Sequence, residues 1–275
     1  MKKSFKTICK SLIIGAVYMI ALLVGTMIAS SMGLSLPEAK NTQTILMWTL
    51  ASGTIMGFFL GPIATSMTAS KIRHIVVWSN VIFFNLISVA IEGRFFAPEL
   101  AGNSIQGSII IQLMAAIVTG WLITTLFAPK QTAVTASVPQ RSFLSWTWRF
   151  LISSFSYLVF YFIFGAINYT LVTKPYYETN VSGLTVPPAG TVLMVELLRG
   201  PLIVLSVLPF LLSQRMNKKR AVILTGLVIF SIGGLVPLTM RVDTLPLILL
   251  AASAVEIFFQ NFSTGAVTEL LLGQS

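Results

Sequence analysis

Two ionisable side chains lie inside apolar sequence and need an explanation. Glu196 and Arg199 sit within Thr191 to Gln214, TVLMVELLRGPLIVLSVLPFLLSQ, a run long and apolar enough to cross a bilayer. A charged side chain at the centre of such a helix costs about 2.5–3.5 kcal/mol on insertion scales. Spaced i and i+3, these two share a helix face and can pair. Glu256 lies in another apolar run, with Gln260 one turn further along the same face and Asn261 beside it. Asn85 and Glu92, on one face of a third run, are followed by Arg94. Two chemistries fit such a set. The groups can form a buried ion network that locks helices together. Alternatively they line a polar cavity, in which Arg199 holds an anionic group and Glu196 or Glu256 exchanges a proton. At ~1.5 Å per residue, Glu196, Arg199 and Glu256 lie roughly 10, 14 and 17 Å from the outer ends of their spans. Arg199 and Glu256 are thus expected at similar depth.

Membrane helices must position these groups. The chain is 55% hydrophobic and 9% charged, far below the roughly 25% charge of a soluble domain. Eight apolar runs predict spans at Ser11–Ser31, Thr44–Ala69, Ile75–Phe95, Ser108–Phe127, Phe150–Val172, Thr191–Gln214, Ala221–Met240 and Leu245–Leu271. Continuous apolar runs of this length indicate helices, because lipid forces each segment to satisfy its own backbone. The expected fold is an all-α polytopic bundle. Four lysines, Lys2, Lys3, Lys6 and Lys10, precede the first run. That run exceeds the ~7–15 residues of a cleaved leader, so a retained helix is expected.

The net charge of +10 raises the question of nucleic acid, and the placement of the charges answers it. With the N-terminus inside, thirteen of the eighteen basic residues fall on the cytoplasmic side, from the N-terminal lysines through Lys71, Arg73, Lys130, Arg141, Arg149 and the Arg215–Arg220 cluster. Lys40, Arg94, Lys174 and Arg241 fall outside. Glu38, Glu92, Glu99, Glu178 and Asp243 lie on or toward the outer side, and only Glu269 is near the inner surface. The positive-inside rule then gives both termini in the cytoplasm of a plasma-type membrane, with the basic stripe facing anionic lipid. A nucleic-acid partner is not expected.

The chain also matches itself. A shift of 147 residues lays Thr44–Gly53 on Thr191–Gly200, and the register continues without a gap. Pro62 meets Pro209, Ser66 meets Ser213, Lys71 meets Lys218, Arg73 meets Arg220 and Arg94 meets Arg241. Leu113–Ala116 resembles Leu249–Ala252 more loosely, and the first and fifth helices match only in length and in their basic inner ends. Two four-helix repeats, 1–140 and 141–275, are expected. Each has an even number of spans, so they are parallel and related by an axis along the membrane normal. At matched positions Thr49 and Ser52 face Glu196 and Arg199, so the two copies differ in polarity.

Other features carry less. Gly53, Gly57 and Gly61 form a small-residue stripe suited to close helix contact. Gly61-Pro62, Gly200-Pro201 and Pro209 are candidate kinks. The set Phe155, Tyr157, Phe160, Tyr161, Phe162 and Phe164 is expected to be lipid-facing or packing surface. One histidine, His74, and one cysteine, Cys9, lie far from the acids. No metal site, cofactor or catalytic set is expected, and no phosphate-binding glycine motif is present. The expected function is a small transporter or carrier with a polar site in the outer half of the bilayer, taking a lipid-like or anionic small molecule. The alternatives are a non-catalytic membrane subunit or assembly factor that binds a partner protein, and an enzyme acting on lipid headgroups.

Overall fold

The computed structural model describes residues 2–34, 41–67, 69–98, 104–129, 140–214 and 216–274, without the side chains of Lys2 and Lys3. Glu38, Lys40, Glu99, Lys130 and Arg215 lie outside the described residues. The elements are α1 (Lys2–Ser31), α2 (Thr42–Ser66), α3 (Lys71–Phe96), α4 (Ile105–Phe127) and α5 (Phe143–Asn168). A π-helical turn (Tyr169–Thr173) joins α5 to α6 (Lys174–Glu178). Then follow α7 (Ala189–Leu211) and α8 (Lys218–Phe230), a second π turn (Ser231–Leu235), α9 (Val236–Thr239) and α10 (Leu247–Leu272). No strand occurs among the described residues. Eight of these helical stretches are long and apolar enough to cross a membrane, with α5–α6 and α8–α9 each acting as one span.

Several helices outrun the apolar runs that mark them. The fifth begins at Phe143 rather than Phe150, because the Ser142 side chain caps it by accepting from the Ser145 N–H. Asn41, Ser70, Ser104 and Asn217 cap α2, α3, α4 and α8 in the same way. Such caps satisfy backbone donors that the first turn leaves unpaired, so a helix extends into polar sequence that hydropathy alone reads as loop. Lys174–Glu178, beyond the expected end of the fifth run at Val172, is also helical.

The interruptions of regular α-helix lie away from the candidate kinks. Pro62, Pro201 and Pro209 are carried inside α2 and α7, whose α-helical turns continue past them. The π turns instead end two residues before Pro175 and Pro237. Proline lacks the N–H that an α-turn would use, and its ring crowds the carbonyl four residues back. In both cases that carbonyl belongs to the π turn, at Leu171 and Gly233, and the wider turn makes room for the ring.

Helix α1 packs on α2 and α4, and α4 packs on α3; α5 packs on α7 and α10, and α10 packs on α8. Helix α3 also packs on α7, and α2 packs on the stretch from the second π turn through α9. The buried apolar cluster sits where these groups meet, with Met56 and Leu60 of α2, Trp78 and Ile82 of α3, Val207 and Phe210 of α7, and Ile229 of α8. The Trp78 and Phe210 rings are 5.9 Å apart. Helix α5 leaves Leu151, Phe155, Phe162 and Ile167 exposed, an apolar face suited to lipid.

The face on which α1 begins is basic, and its cations are used structurally. Lys10 donates to the Leu126 carbonyl at the end of α4 and stands over the Phe127 ring at 4.8 Å. Arg149 donates to the Leu271 carbonyl at 2.9 Å, and Arg141 to the Leu271, Leu272 and Gly273 carbonyls, all at the end of α10. Arg73 donates to the Ser213 hydroxyl and the Leu212 carbonyl at the end of α7. These carbonyls lack intrahelical partners and carry the negative end of the helix dipole.

Candidate functional site: a polar cavity between α3, α7 and α10

Helix α7 brings Glu196 and Arg199 into the interior, where both are buried. The Arg199 Nη1 donates to both Glu196 oxygens, at 3.0 and 2.8 Å, and lies 2.6 Å from Glu92 Oε1 of α3. Its Nε donates to the Ser88 hydroxyl at 3.2 Å. The Tyr157 ring of α5 covers the guanidinium at 5.3 Å. One glycine permits this arrangement: a Cβ at Gly200 would collide with the Ser154 carbonyl oxygen. The close approach of α7 to α5 sets Tyr157 against Arg199.

Beside this cluster lies a cavity of about 220 Å³. Asn85, Ser88, Glu92 and Phe96 line it from α3, Arg199 from α7, and Glu256, Gln260 and Asn261 from α10. Tyr161 of α5, Tyr177 of α6, Gly233 and Gly234 of the second π turn, and Arg241 also form part of the wall. Glu256 Oε2 accepts from Asn168 Nδ2 at 2.5 Å, and among the described residues no cation pairs with it. Asn85 Nδ2 donates to the Val81 carbonyl and the Ser206 hydroxyl, both at 2.8 Å. Those two bonds fix the amide and leave its oxygen buried, with no donor among the described residues. The Gln260 amide nitrogen is likewise buried and unpartnered. Burial lowers the affinity of the Arg241 guanidinium for its proton, and the nearby Asp243 carboxylate opposes that shift.

Of the residues picked out in the sequence, Asn85, Glu92, Arg199, Glu256, Gln260 and Asn261 therefore meet at one cavity. Glu196 stands behind Arg199 and does not line it, and Arg94 is outside the lining. Two carboxylates share the charge of Arg199. The aromatic set divides. Phe155 and Phe162 are exposed, whereas Tyr157 covers Arg199 and Tyr161 lines the cavity. Tyr161 follows Tyr157 by four residues on one helix face, a spacing that held this information. Asn168 carried only the weaker signal of an amide inside an apolar run. His74 is buried away from the acids, and no group of three or more His, Cys, Asp or Glu side chains among the described residues is placed to hold a metal ion.

Eight apolar helices and a buried ionic cluster define a multi-pass integral membrane protein. No protein-family model, curated protein or solved structure matches the chain.

Proposed function

We propose that this chain is a small-solute carrier of a plasma-type membrane, with both termini cytoplasmic and its binding site in the outer half of the bilayer. The observation that carries the reading is the cavity itself. It is lined by costly intramembrane ionisable groups that reach it from both halves of the chain. Such groups mark solute or proton pathways by default.

We further propose that the halves 1–140 and 141–275 are parallel repeats, and contacts made twice support this. Gly53 of α2 lies against Gly15 and Tyr18 of α1, and Gly200 of α7 lies against Ser154 of α5, one turn before Tyr157. Tyr18 and Tyr157 are both fully buried. Lys10 donates to a last-turn carbonyl of α4, that of Leu126, and Arg149 to one of α10, that of Leu271. Gly120 of α4 meets Ser79 of α3, and Gly265 of α10 meets Gly226 of α8. These contacts correlate Thr119-Gly120 with Thr264-Gly265, nine positions away from the looser match of Leu113–Ala116 with Leu249–Ala252. Repeat-built transporters hold their substrate near the repeat interface, where this cavity lies.

The test is reconstitution into proteoliposomes and measurement of solute-induced currents over a panel of small cations, anions and zwitterions. A saturable current that disappears in Glu256→Gln is expected. A protein that gives no current with any of them, and purifies with a stoichiometric partner, would be an assembly subunit instead.

A further inference from the structure

The charges of the cavity choose between classes of solute. Two carboxylates, Glu92 and Glu256, and two guanidinium groups, Arg199 and Arg241, line it, and a third carboxylate, Glu196, stands behind Arg199 and pairs with it. Arg199 is shared between two of the carboxylates. An anion arriving there would have to displace one of them and leave it buried and unpaired, which is strongly unfavourable. Arg241 is half-buried, with the Asp243 carboxylate nearby. The acceptors are the groups left over. Among the described residues Glu256 has the neutral amide of Asn168 on one oxygen and no cation. Glu92 gives one oxygen to Arg199 and keeps part of its side chain exposed, at 27%. Asn85 lines the cavity, two bonds from its nitrogen hold its amide, and its buried oxygen has no donor among the described residues. Three aromatic rings, Phe96, Tyr161 and Tyr177, share the wall with these acceptors.

We propose that the cavity binds a compact organic ammonium ion, seated between Glu256, Glu92 and the Asn85 oxygen with the aromatic rings around its alkyl groups; this deepens, and rests on, the carrier reading. Each part of the wall then has a use. The carboxylates supply the countercharge, and the rings attract a cation through their faces. The unpartnered Gln260 nitrogen donates to an oxygen carried by the same molecule. At about 220 Å³ the space is smaller than the ~300–1,000 Å³ of drug-sized pockets, which restricts the solute to a small one.

Isothermal titration calorimetry of the detergent-purified protein tests this directly. The probes are tetramethylammonium and ethanolammonium chlorides, with sodium chloride, sodium acetate and inorganic phosphate at matched ionic strength. Saturable binding of at least one ammonium ion, and none of acetate or phosphate, is expected. Glu256→Gln should weaken it at least about thirtyfold, the lower end for removing one partner of a buried charge pair. Arg94→Gln, outside the cavity, should leave it unchanged. Absence of saturable ammonium binding to the wild type overturns the proposal whatever the variants do, and so does saturable phosphate or acetate binding. The two readings fail separately in proteoliposomes. Ammonium binding without an ammonium-driven current would keep the cation site and remove the carrier. A current driven only by anions would keep the carrier and remove the cation site.

Discussion

Arg199 holds the site together because two carboxylates depend on it. Glu196 is fully buried, and its described ionic partner is that one guanidinium, 2.8 Å away. Removing one member of a buried ion pair leaves an uncompensated charge in low dielectric, at a cost of about 3–5 kcal/mol. Arg199→Ala should reach that range, since it strands Glu196 and strips Glu92 of its described partner together. Glu196→Gln should cost less, under about 2 kcal/mol, because the amide still offers an acceptor and Glu92 still neutralises the arginine. Chemical unfolding in mixed micelles, followed by tryptophan fluorescence, gives both values; an Arg199→Ala protein as stable as Glu196→Gln would show that the carboxylates have other support. The sequence displayed part of this arrangement. The spacing of three exposes the pairing of Glu196 with Arg199, since it needs one helix only. It does not expose the pairing with Glu92, which depends on how α3 and α7 lie against each other, and no periodicity within a single helix records that.

Close helix approach is what places the cluster, and glycine sets it. Gly53 and Gly200 occupy matched positions, and each lets its helix reach a neighbour at a distance that a Cβ would block. Gly200 has the harder obstacle, a backbone carbonyl; Gly53 meets the Tyr18 Cβ and the Gly15 backbone. Forcing an extra methyl group into a packed contact costs typically about 1–3 kcal/mol. Gly53→Ala and Gly200→Ala should both fall in that range, with Gly200→Ala the larger. Gly190 of α7 has nothing within 4 Å of its virtual Cβ, so Gly190→Ala should be neutral or gain up to about 1 kcal/mol in helix propensity. Thermal unfolding of the three variants in one detergent checks the order. The apolar runs made the eight spans legible, because bilayer thickness fixes their length. The helix breaks were less so. Pro175 and Pro237 give way to π turns while Pro62, Pro201 and Pro209 stay within α2 and α7, a difference that the residue type alone does not contain. The helix starts were missed for another reason: serine and asparagine caps act on the backbone, and hydropathy does not register them.

Across the whole molecule, most packing is internal to each four-helix group, and the groups meet through α3 against α7 and α2 against the stretch ending in α9. Two consequences follow from that division. The first concerns orientation. Cys9 is the one cysteine of the chain, and it lies toward the basic face that the positive-inside rule assigns to the cytoplasm. In intact cells a membrane-impermeant maleimide should label a Thr179→Cys variant made in a Cys9→Ser background, while Cys9 of the wild type should react only after permeabilisation. The reverse pattern would invert the topology and put the cavity on the cytoplasmic side. The second concerns the repeats. Each half has its own set of helix contacts. Residues 1–140 and 141–275 expressed as separate chains should therefore insert independently and associate one to one, since neither alone covers the faces of Trp78 and Phe210 that meet at their junction. Copurification through a tag on either half, followed by the same ammonium titration as for the intact chain, measures this. Loss of association would mean that covalent connection, and not the shared apolar interface, holds Arg199 against Glu92. Association without ammonium binding would place the solute elsewhere than at the junction of the halves.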